Sequence, residues 1–522
     1  MKIPRNLGPS VFIVLLVFLE SLFLSPWLQA PETDREVFRY IGMAMREGKI
    51  PYKDIFDHKP PLIYFICALT DFMGPWGLWF FNASALSICS LFIYRIIKKN
   101  NLFPALLTLI LFILLIRYSP IIDGGGLTRE ITCYLVFLLL NRILFAKGEK
   151  KILLGIISGL IFFTQQNELL AVIPFLIYDL FSETEFHARI FISNTLKLLA
   201  GFCSVTLIFV FYFYFNHALF DFWKSAFEFN TRFYIHSEYT FKGRITEVVH
   251  ILYRLGFVIP AILFIVLAGI TFIQSGTKIR NSIVLLVCIF SMGMEAYSIA
   301  LSGRNYSHYF LGFIPYFCLL PLLSAQMTVG QADQMVPGQA DQMTPRHNRL
   351  KKYIQFTSGL ILIFTMVIFS EPGKWIQLKN IYSGNAYYDE IPYKLLAEAA
   401  NKPGQIYVFR MTKMLGMNVE THTTAPTRWI YTTMWDNYLD WDAAGTEFQN
   451  MLDDLKKYQT RFILDYSKSY PMKRKELQQK WDKFISEHYL KVKSLPDQEN
   501  LMRGTLFIRE ACPAMNCNNY DR

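Results

Sequence analysis

Runs of apolar residues long enough, or nearly so, to cross a bilayer recur along this chain, separated by short polar turns. They occupy residues 11–28, 79–97, 102–116, 127–145, 152–163, 169–180, 198–215, 252–273, 283–301, 309–323 and 353–369. A hydrocarbon core of ~30 Å takes about 20 residues of helix, so the pattern predicts about eleven transmembrane helices. The runs 152–163 and 169–180 are short, and read either as two thin spans or as one bent or re-entrant unit. Pro31 directly behind Ala30 argues against removal of the first run as a signal peptide, and it is kept as the first span. Beyond Ser370 the pattern changes: residues 405–410, 461–466, 490–494 and 504–509 read as strands, and 473–489 as an amphipathic helix. The expectation is a polytopic α-helical membrane protein, with residues 1–370 as the membrane domain and 371–522 as a small α/β domain.

Composition agrees with lipid as the solvent. Of 522 residues, 53% are hydrophobic and 18% charged, against about 25% charged in a soluble domain. The formal charge of +11 is spread between apolar runs rather than gathered on one soluble face, which excludes a nucleic-acid partner as its explanation. Its distribution reads instead as topology. With the N-terminus inside, the inner loops contain Arg95, Lys98 and Lys99; Arg142, Lys147, Lys150 and Lys151; Lys278 and Arg280; and Arg346, Arg349, Lys351 and Lys352. The same count places the first loop, 31–64, outside, with the loops around Asp123, Gln166, Arg232 and Arg304 and everything after Ser370. The inner loop 326–352 holds a duplicated hexapeptide, Gly330 to Met335 and Gly338 to Met343, which reads as a solvated linker. The implied location is a membrane, with the polar residues and the C-terminal domain on its outer face.

The cysteines carry little chemistry. Cys67, Cys89, Cys133, Cys203, Cys288 and Cys318 lie singly in or beside apolar runs and read as packing residues. Cys512 and Cys517 sit together in a polar tail, where a disulfide is open if the compartment is oxidising.

The outer segments place charge where membrane proteins usually avoid it. In the first, Asp34 stands just beyond the first span, suited to act as a general base if partly desolvated, or else to complement the N-terminus of a surface helix with Glu32 and Glu36. Lys59 before Pro60-Pro61 sits at a helix start near the membrane surface, suiting an anionic headgroup or a snorkelling lysine. Further on, Asp123-Gly-Gly-Gly-Leu-Thr-Arg129-Glu130, Gln165-Gln166-Asn167-Glu168 and Ser302-Gly-Arg304-Asn-Tyr-Ser-His308-Tyr309 read as substrate-facing segments. The structural alternatives are an Arg129–Glu130 ion pair, an amide-rich turn and an interfacial Tyr/His belt. Glu20 and Glu295 fall inside spans, where ionisable groups face a bundle interior or a wet cavity.

The run Asp34-x-x-Val37-Phe38-x-Tyr40-x-Gly42, Gly48-x-x-Pro51-Tyr52-x-Asp54, Asp57-His58-Lys59-Pro60-Pro61 resembles the first outer loop of bacterial GT-C glycosyltransferases. Its nearest likeness is the family related to protein O-mannosyltransferases and to the lipid A aminoarabinose transferase. Ser302-Gly303-Arg304-x-x-x-His308-Tyr309 is similar to a late outer-loop motif of the same family. The resemblance covers about residues 1–370. It implies a GT-C-like fold and transfer of a sugar from a polyprenyl-phosphate donor to a glycan, lipid or protein acceptor on the outer face. It also implies that Asp34 is the catalytic base and that Lys59 holds the donor phosphate. Arg35 stands where relatives often have a second acid, so no metal site is implied; a divalent cation stays open as the one cofactor.

Elementary chemistry fits that implication. A hydroxyl needs a base such as Asp34 before it attacks, and a lipid phosphate leaves well when cations stabilise it. Lys59 and Arg304 suit that task, His308 adds a hydrogen bond, and Asp57, Arg129, Glu130, Gln166 and Tyr309 are the candidate substrate contacts. Direct displacement inverts the anomeric carbon. Two other readings stay open: a transporter or flippase of polar or lipid-linked headgroups, and a non-catalytic envelope scaffold. Transporters place charge near the midplane and often carry internal repeats; no duplicated span pattern occurs here.

Overall fold

The computed structural model describes residues 7–28, 33–100, 109, 112–113, 115–117, 122, 124–146, 150–182, 187–234, 240–254, 279–302, 306–319, 403–437, 441–495 and 504–509. Glu32, Asp123, Arg304, the duplicated hexapeptide, the run 353–369, most of 102–116 and 252–273, and Cys512 and Cys517 lie outside the described residues.

In chain order the main helices are α1 (Leu7–Ser21), α2 (Thr33–Arg46), α3 (Leu62–Thr70), α4 (Trp76–Asn100), α5 (Thr128–Phe145), α6 (Lys151–Thr164), α7 (Leu169–Phe181), α8 (Ala188–Phe215), α9 (Phe241–Arg254) and α10 (Ile279–Ser302). A C-terminal region follows with β1 (Ile406–Phe409), α11 (Thr446–Lys457), β2 (Phe462–Asp465), α12 (Lys475–His488), β3 (Tyr489–Leu495) and β4 (Gly504–Arg509). Three segments among the described residues are long and apolar enough to cross a membrane: Trp76–Ile96, Ala188–Phe215 and Ile283–Leu301. Gly8–Leu24, Leu62–Met73 and Lys151–Thr164 are shorter apolar helices. The two short runs form separate helices, α6 and α7, joined by a 3-10 turn at Gln166–Glu168.

The chain gathers into two compact units, 1–29 with 79–208 and 237–379, and 30–78 with 209–236 and 380–522. In the first, helices pack around a core that includes Val17, Leu86, Phe112, Phe137, Ile299 and Phe310, and a second cluster around Leu139, Leu154, Phe175, Cys288 and Tyr316. Lipid tails are as apolar as leucine, so helices there associate by close approach of small residues. Gly155 and Gly159 of α6 form such a small-xxx-small pair, a signal the apolar pattern hides. A Cβ at Gly155 would collide with the carbonyl oxygen of Leu198 on α8, one at Gly159 would stand 2.9 Å from the Cβ of Val205, and one at Gly201 would collide with the carbonyl of Ile152. Pro174 lies inside α7 and removes one backbone donor; nearby, the Tyr316 hydroxyl donates to the Ala171 carbonyl at 3.0 Å.

The second unit contains the helix α2, the short apolar α3 and the C-terminal sheet. Asp34 and Glu36 open α2 and Arg46 closes it, matching the helix dipole. From Glu36 to Ala44 every residue but Arg39 is buried, so α2 is enclosed on nearly all sides. Gly42 lets α2 meet α3 closely, since a Cβ there would stand 2.5 Å from that of Cys67. The sheet has order β1-β2-β4-β3, with β1 and β2 parallel and the other pairs antiparallel. Alternation along β1 sends Tyr407 and Phe409 toward α11 and α12, where Phe409 stacks on Trp481 at 3.7 Å, and Ile406 and Val408 to the opposite face. The four strands and α12 expected from the pattern are all present within a few residues of their expected limits.

The α6–α8 crossing predicts that Gly155→Leu lowers stability by about 1–3 kcal/mol, the range for forced overpacking. Thermal unfolding in detergent micelles checks it, with the exposed Ile152→Leu as the neutral comparison.

Candidate active site

The first outer loop is built around one buried carboxylate. Asp57 accepts from the Tyr64 hydroxyl at 2.7 Å and from the His58 backbone N–H at 2.7 Å, with the His58 Nδ1 at 3.2 Å. Tyr64 sits on the first turn of α3, which starts at Leu62 because Pro60-Pro61 set the backbone for it. The carbonyl of Lys59 accepts from two tyrosines, Tyr52 at 2.7 Å and Tyr64 at 3.2 Å. The Asn230 carboxamide donates to the His58 carbonyl at 2.7 Å, and the His58 ring rests on Tyr234 at 4.9 Å. The backbone is therefore held at His58 and Lys59 and the Asp57 side chain is fixed beside them, with the Lys59 side chain half-buried.

Burial pushes the Asp57 carboxyl up to about 6, opposed by its hydrogen bonds from Tyr64 and His58 and by the Lys59 charge, and aided by the Asp34 charge. Asp34, Asp57 and Lys59 thus share one electrostatic neighbourhood within this unit. Asp34 is half-buried in the first turn of α2. Arg35 lies 3.2 Å from Glu36, which also receives Arg39 at 2.8 Å.

The other candidate residues belong to the first unit, where they form two linked buried clusters. Arg129 of α5, 1% exposed, pairs with Glu168 in the Gln166–Glu168 turn and with Glu295 of α10 at 2.6 Å. Its guanidinium lies over the Tyr309 ring at 4.8 Å, and His308 contacts that ring at 5.0 Å. Gln166 is half-buried in the same turn as Glu168. Thr128, Gln165, Asn167 and Ser298 continue the polar chain, with links of 2.9, 2.9 and 2.7 Å. Gly312 is backed directly by the carboxylates of Glu295 and Glu168, so no side chain fits there.

Glu130 does not pair with Arg129. Neighbours in sequence on a helix point about 100° apart, and Glu130 turns instead to Arg117 at 2.7 Å and the Tyr134 hydroxyl at 2.8 Å. Its second oxygen accepts from the Gly126 N–H at 2.9 Å and Asn82 at 3.2 Å. These contacts occupy the carboxylate and hold the glycine turn, in which Gly124, Gly125 and Gly126 all have positive φ. The sequence patterns gave no signal for Arg117, Asn82, Tyr64 and Asn230, and Tyr52 stood in the first-loop motif without a role. Tyr134, four residues after Glu130, was the one legible partner. Glu295 is fully buried, as expected of an ionisable group facing a bundle interior, while Glu20 is half-buried. Among the described residues, no three His, Cys, Asp or Glu side chains converge in a way suited to a metal ion.

The fold is that of a helical membrane protein of the GT-C kind, as likeness to solved structures shows. In particular, the chain is similar to the crystal structure of ArnT, the lipid A aminoarabinose transferase, from Cupriavidus metallidurans bound to undecaprenyl phosphate, with a TM-score of 0.57 and 11% identity over 97% of this chain and 99% of that one. The apo form of the same protein matches with a TM-score of 0.54 and 10% identity over 97% and 98%. At such identity the likeness is one of fold, and it agrees with the resemblance carried by the first outer loop. No protein-family model matches the chain, and no curated protein does.

The raised Asp57 pKa fixes a pH dependence. Between about pH 4, the ordinary carboxylate value, and about 6, the folded protein retains a proton that the unfolded chain has released. Stability therefore falls as pH rises through that window. Asp57→Asn removes this slope, and Tyr64→Phe, which deletes a hydrogen bond favouring the ionised form, extends it to higher pH; thermal unfolding from pH 4 to 8 reads both.

Proposed function

We propose that this chain is a membrane glycosyltransferase that moves a sugar from a polyprenyl phosphate to an acceptor hydroxyl on the outer face of an inner cell membrane. The observation that carries the reading is the first outer loop, whose motif holds Asp34, Asp57 and Lys59 in one electrostatic neighbourhood. The full-length fold likeness to a transferase bound to undecaprenyl phosphate supports it.

In this reading Asp34 takes the proton of the acceptor hydroxyl as its oxygen bonds to the anomeric carbon. The bond from that carbon to the donor phosphate breaks, its electron pair stays on the phosphate oxygen, and the configuration inverts. Lys59 stabilises the charge developing on that oxygen, with Arg304 and His308 as the further donors from the late motif. Two tyrosines gripping the Lys59 carbonyl fix the point from which its side chain reaches the phosphate. Asp57 positions this segment and tempers its charge. Arg129, Gln166 and Tyr309 line the substrate region, and Glu130 orders the glycine turn beside it. Residues 1–370 supply the membrane domain, and 371–522 an α/β domain on the outer face.

Envelope glycans and glycoproteins compared by mass spectrometry in a deletion strain test the reading. Complementation by wild type restores one defined sugar, and Asp34→Asn does not, consistent with a loss of about 10²- to 10⁴-fold for a missing general base. Restoration by Asp34→Asn at wild-type levels removes Asp34 as base and favours a transporter or scaffold. Lys59→Met lowers turnover more than it raises the KM for the lipid donor, because the charge it stabilises is greatest in the transition state.

A further inference from the structure

The turn that precedes Lys59 is held in a conformation its own residues do not favour. Tyr52 is a bulky, fully buried residue with φ of +68°, in the left-handed region. Local bonds close the turn: the Tyr52 N–H donates to the Ile55 carbonyl at 2.7 Å, the Asp54 N–H to the Ile50 carbonyl at 2.9 Å, and the Ile50 N–H to the Asp54 carboxylate at 2.8 Å. The rings of Tyr64, Phe213 and Phe222 stand 5.9, 5.3 and 5.4 Å from the Tyr52 ring. The Tyr52 carbonyl is taken by Arg428, 376 residues further along the chain.

Arg428 belongs to the C-terminal region, which lies in the same compact unit as the first outer loop. Its guanidinium donates to the Tyr52 carbonyl, stands 3.8 Å from the Asp221 carboxylate and lies over the Trp429 ring at 5.0 Å. Its own carbonyl accepts from the Phe56 N–H at 2.8 Å, so one residue grips the loop on both sides of the turn. The Phe56 ring packs against Trp429 at 4.9 Å. Two further contacts carry the same seam to α2. The Ala425 N–H donates to the Tyr40 hydroxyl at 2.7 Å, and Gly416 lies against Glu36, where a Cβ would stand 3.0 Å from the carboxylate oxygen. The Tyr52 hydroxyl in turn donates to the Lys59 carbonyl at 2.7 Å. A continuous path therefore runs from Arg428, through the carbonyl and the hydroxyl of Tyr52, to the backbone of Lys59.

We propose that Arg428 is a positioning residue for the transfer reaction: it locks the Tyr52 turn and, through the Tyr52 hydroxyl, sets where Lys59 stands. The inference rests on the role given to Lys59 above, and makes the C-terminal region part of the frame of the donor site. A residue in a sparsely populated backbone conformation persists only where its surroundings over-determine it. A charged donor on the Tyr52 carbonyl supplies that restraint, being stronger than a neutral one. Arginine suits the place because its planar fork holds a carbonyl, faces a carboxylate and stacks on an indole at once, which the point charge of a lysine does not.

The test has two readouts. Hydrogen exchange of the purified full-length protein in detergent, read by mass spectrometry, reports the lock whatever the activity. Arg428→Met speeds exchange in peptides covering 50–59 by about tenfold or more, as loss of a charge-assisted hydrogen bond requires, and leaves those covering 406–409 and 462–465 unchanged. Arg428→Lys, which keeps a charge facing Asp221, is the second variant and shows the same pattern at smaller amplitude. The initial rate at which the envelope sugar returns to the complemented deletion strain, per amount of protein, reports the consequence. Arg428→Met lowers that rate by up to about a hundredfold, the scale of a small misplacement of a reacting group. Tyr52→Phe breaks the same path, so Tyr52→Phe with Arg428→Met is no slower than Arg428→Met alone, whereas loss of folded protein would multiply the two effects. Unchanged exchange in 50–59, a wild-type rate in Arg428→Met, or multiplied losses in the double variant overturns the proposal. So does an equal loss in Arg474→Gln, whose guanidinium holds the carbonyls of Asp442 and Ala443 in the same region. A wild type that restores no sugar removes the transferase reading, and the part of Arg428 in transfer with it, while the exchange pattern separately decides the lock.

Discussion

Arg129 is almost wholly buried among apolar helices, held between Glu168 and Glu295. Removing a guanidinium from water costs several kcal/mol, and only opposed charges with good geometry offset it. This requirement ties together α5, the turn between α6 and α7, and α10, which no apolar contact alone would hold in one register. It dictates Gly312, because the two carboxylates fill the space a side chain would need, and it sets the Tyr309 ring against the guanidinium. One guanidinium bridges two carboxylates, so removing Arg129 leaves two buried acids facing each other, and the cluster behaves as a unit.

The first outer loop solves a related problem on a smaller scale. A buried carboxylate, two tyrosines and an asparagine hold the backbone at His58 and Lys59. Preorganisation of this kind is what an electrostatic site requires, since donors already fixed need no reorganisation as charge develops. Burial raises the Asp57 pKa against the pull of its hydrogen bonds from Tyr64 and His58, linking loop architecture to a pH response.

Helix contacts in the first unit rely on absence of side chains. Gly155, Gly159 and Gly201 admit backbone approach between α6 and α8.

Much of the fold was legible in the chain itself. Apolar runs gave α4, α5, α8 and α10, and the two-residue alternation gave all four strands, because burial against lipid or a sheet imposes a period that any backbone must obey. The motif around Asp34 and Lys59 was legible for a similar reason: a function concentrated in one loop leaves its residues adjacent in sequence. Partnerships were not legible. Arg129 and Glu130 are neighbours in the chain, yet they turn to different helices and bind Glu295 and Arg117, residues far from or unremarkable to any local pattern. Tyr64 and Asn230 likewise converge on the 57–59 segment from distant positions. The sequence by itself determined which stretches are helix, strand and loop, since those follow from local periodicity. Only the tertiary structure decided which buried charge meets which, because desolvation is relieved by whichever partner the packing brings near, and that distance is set in space rather than along the chain.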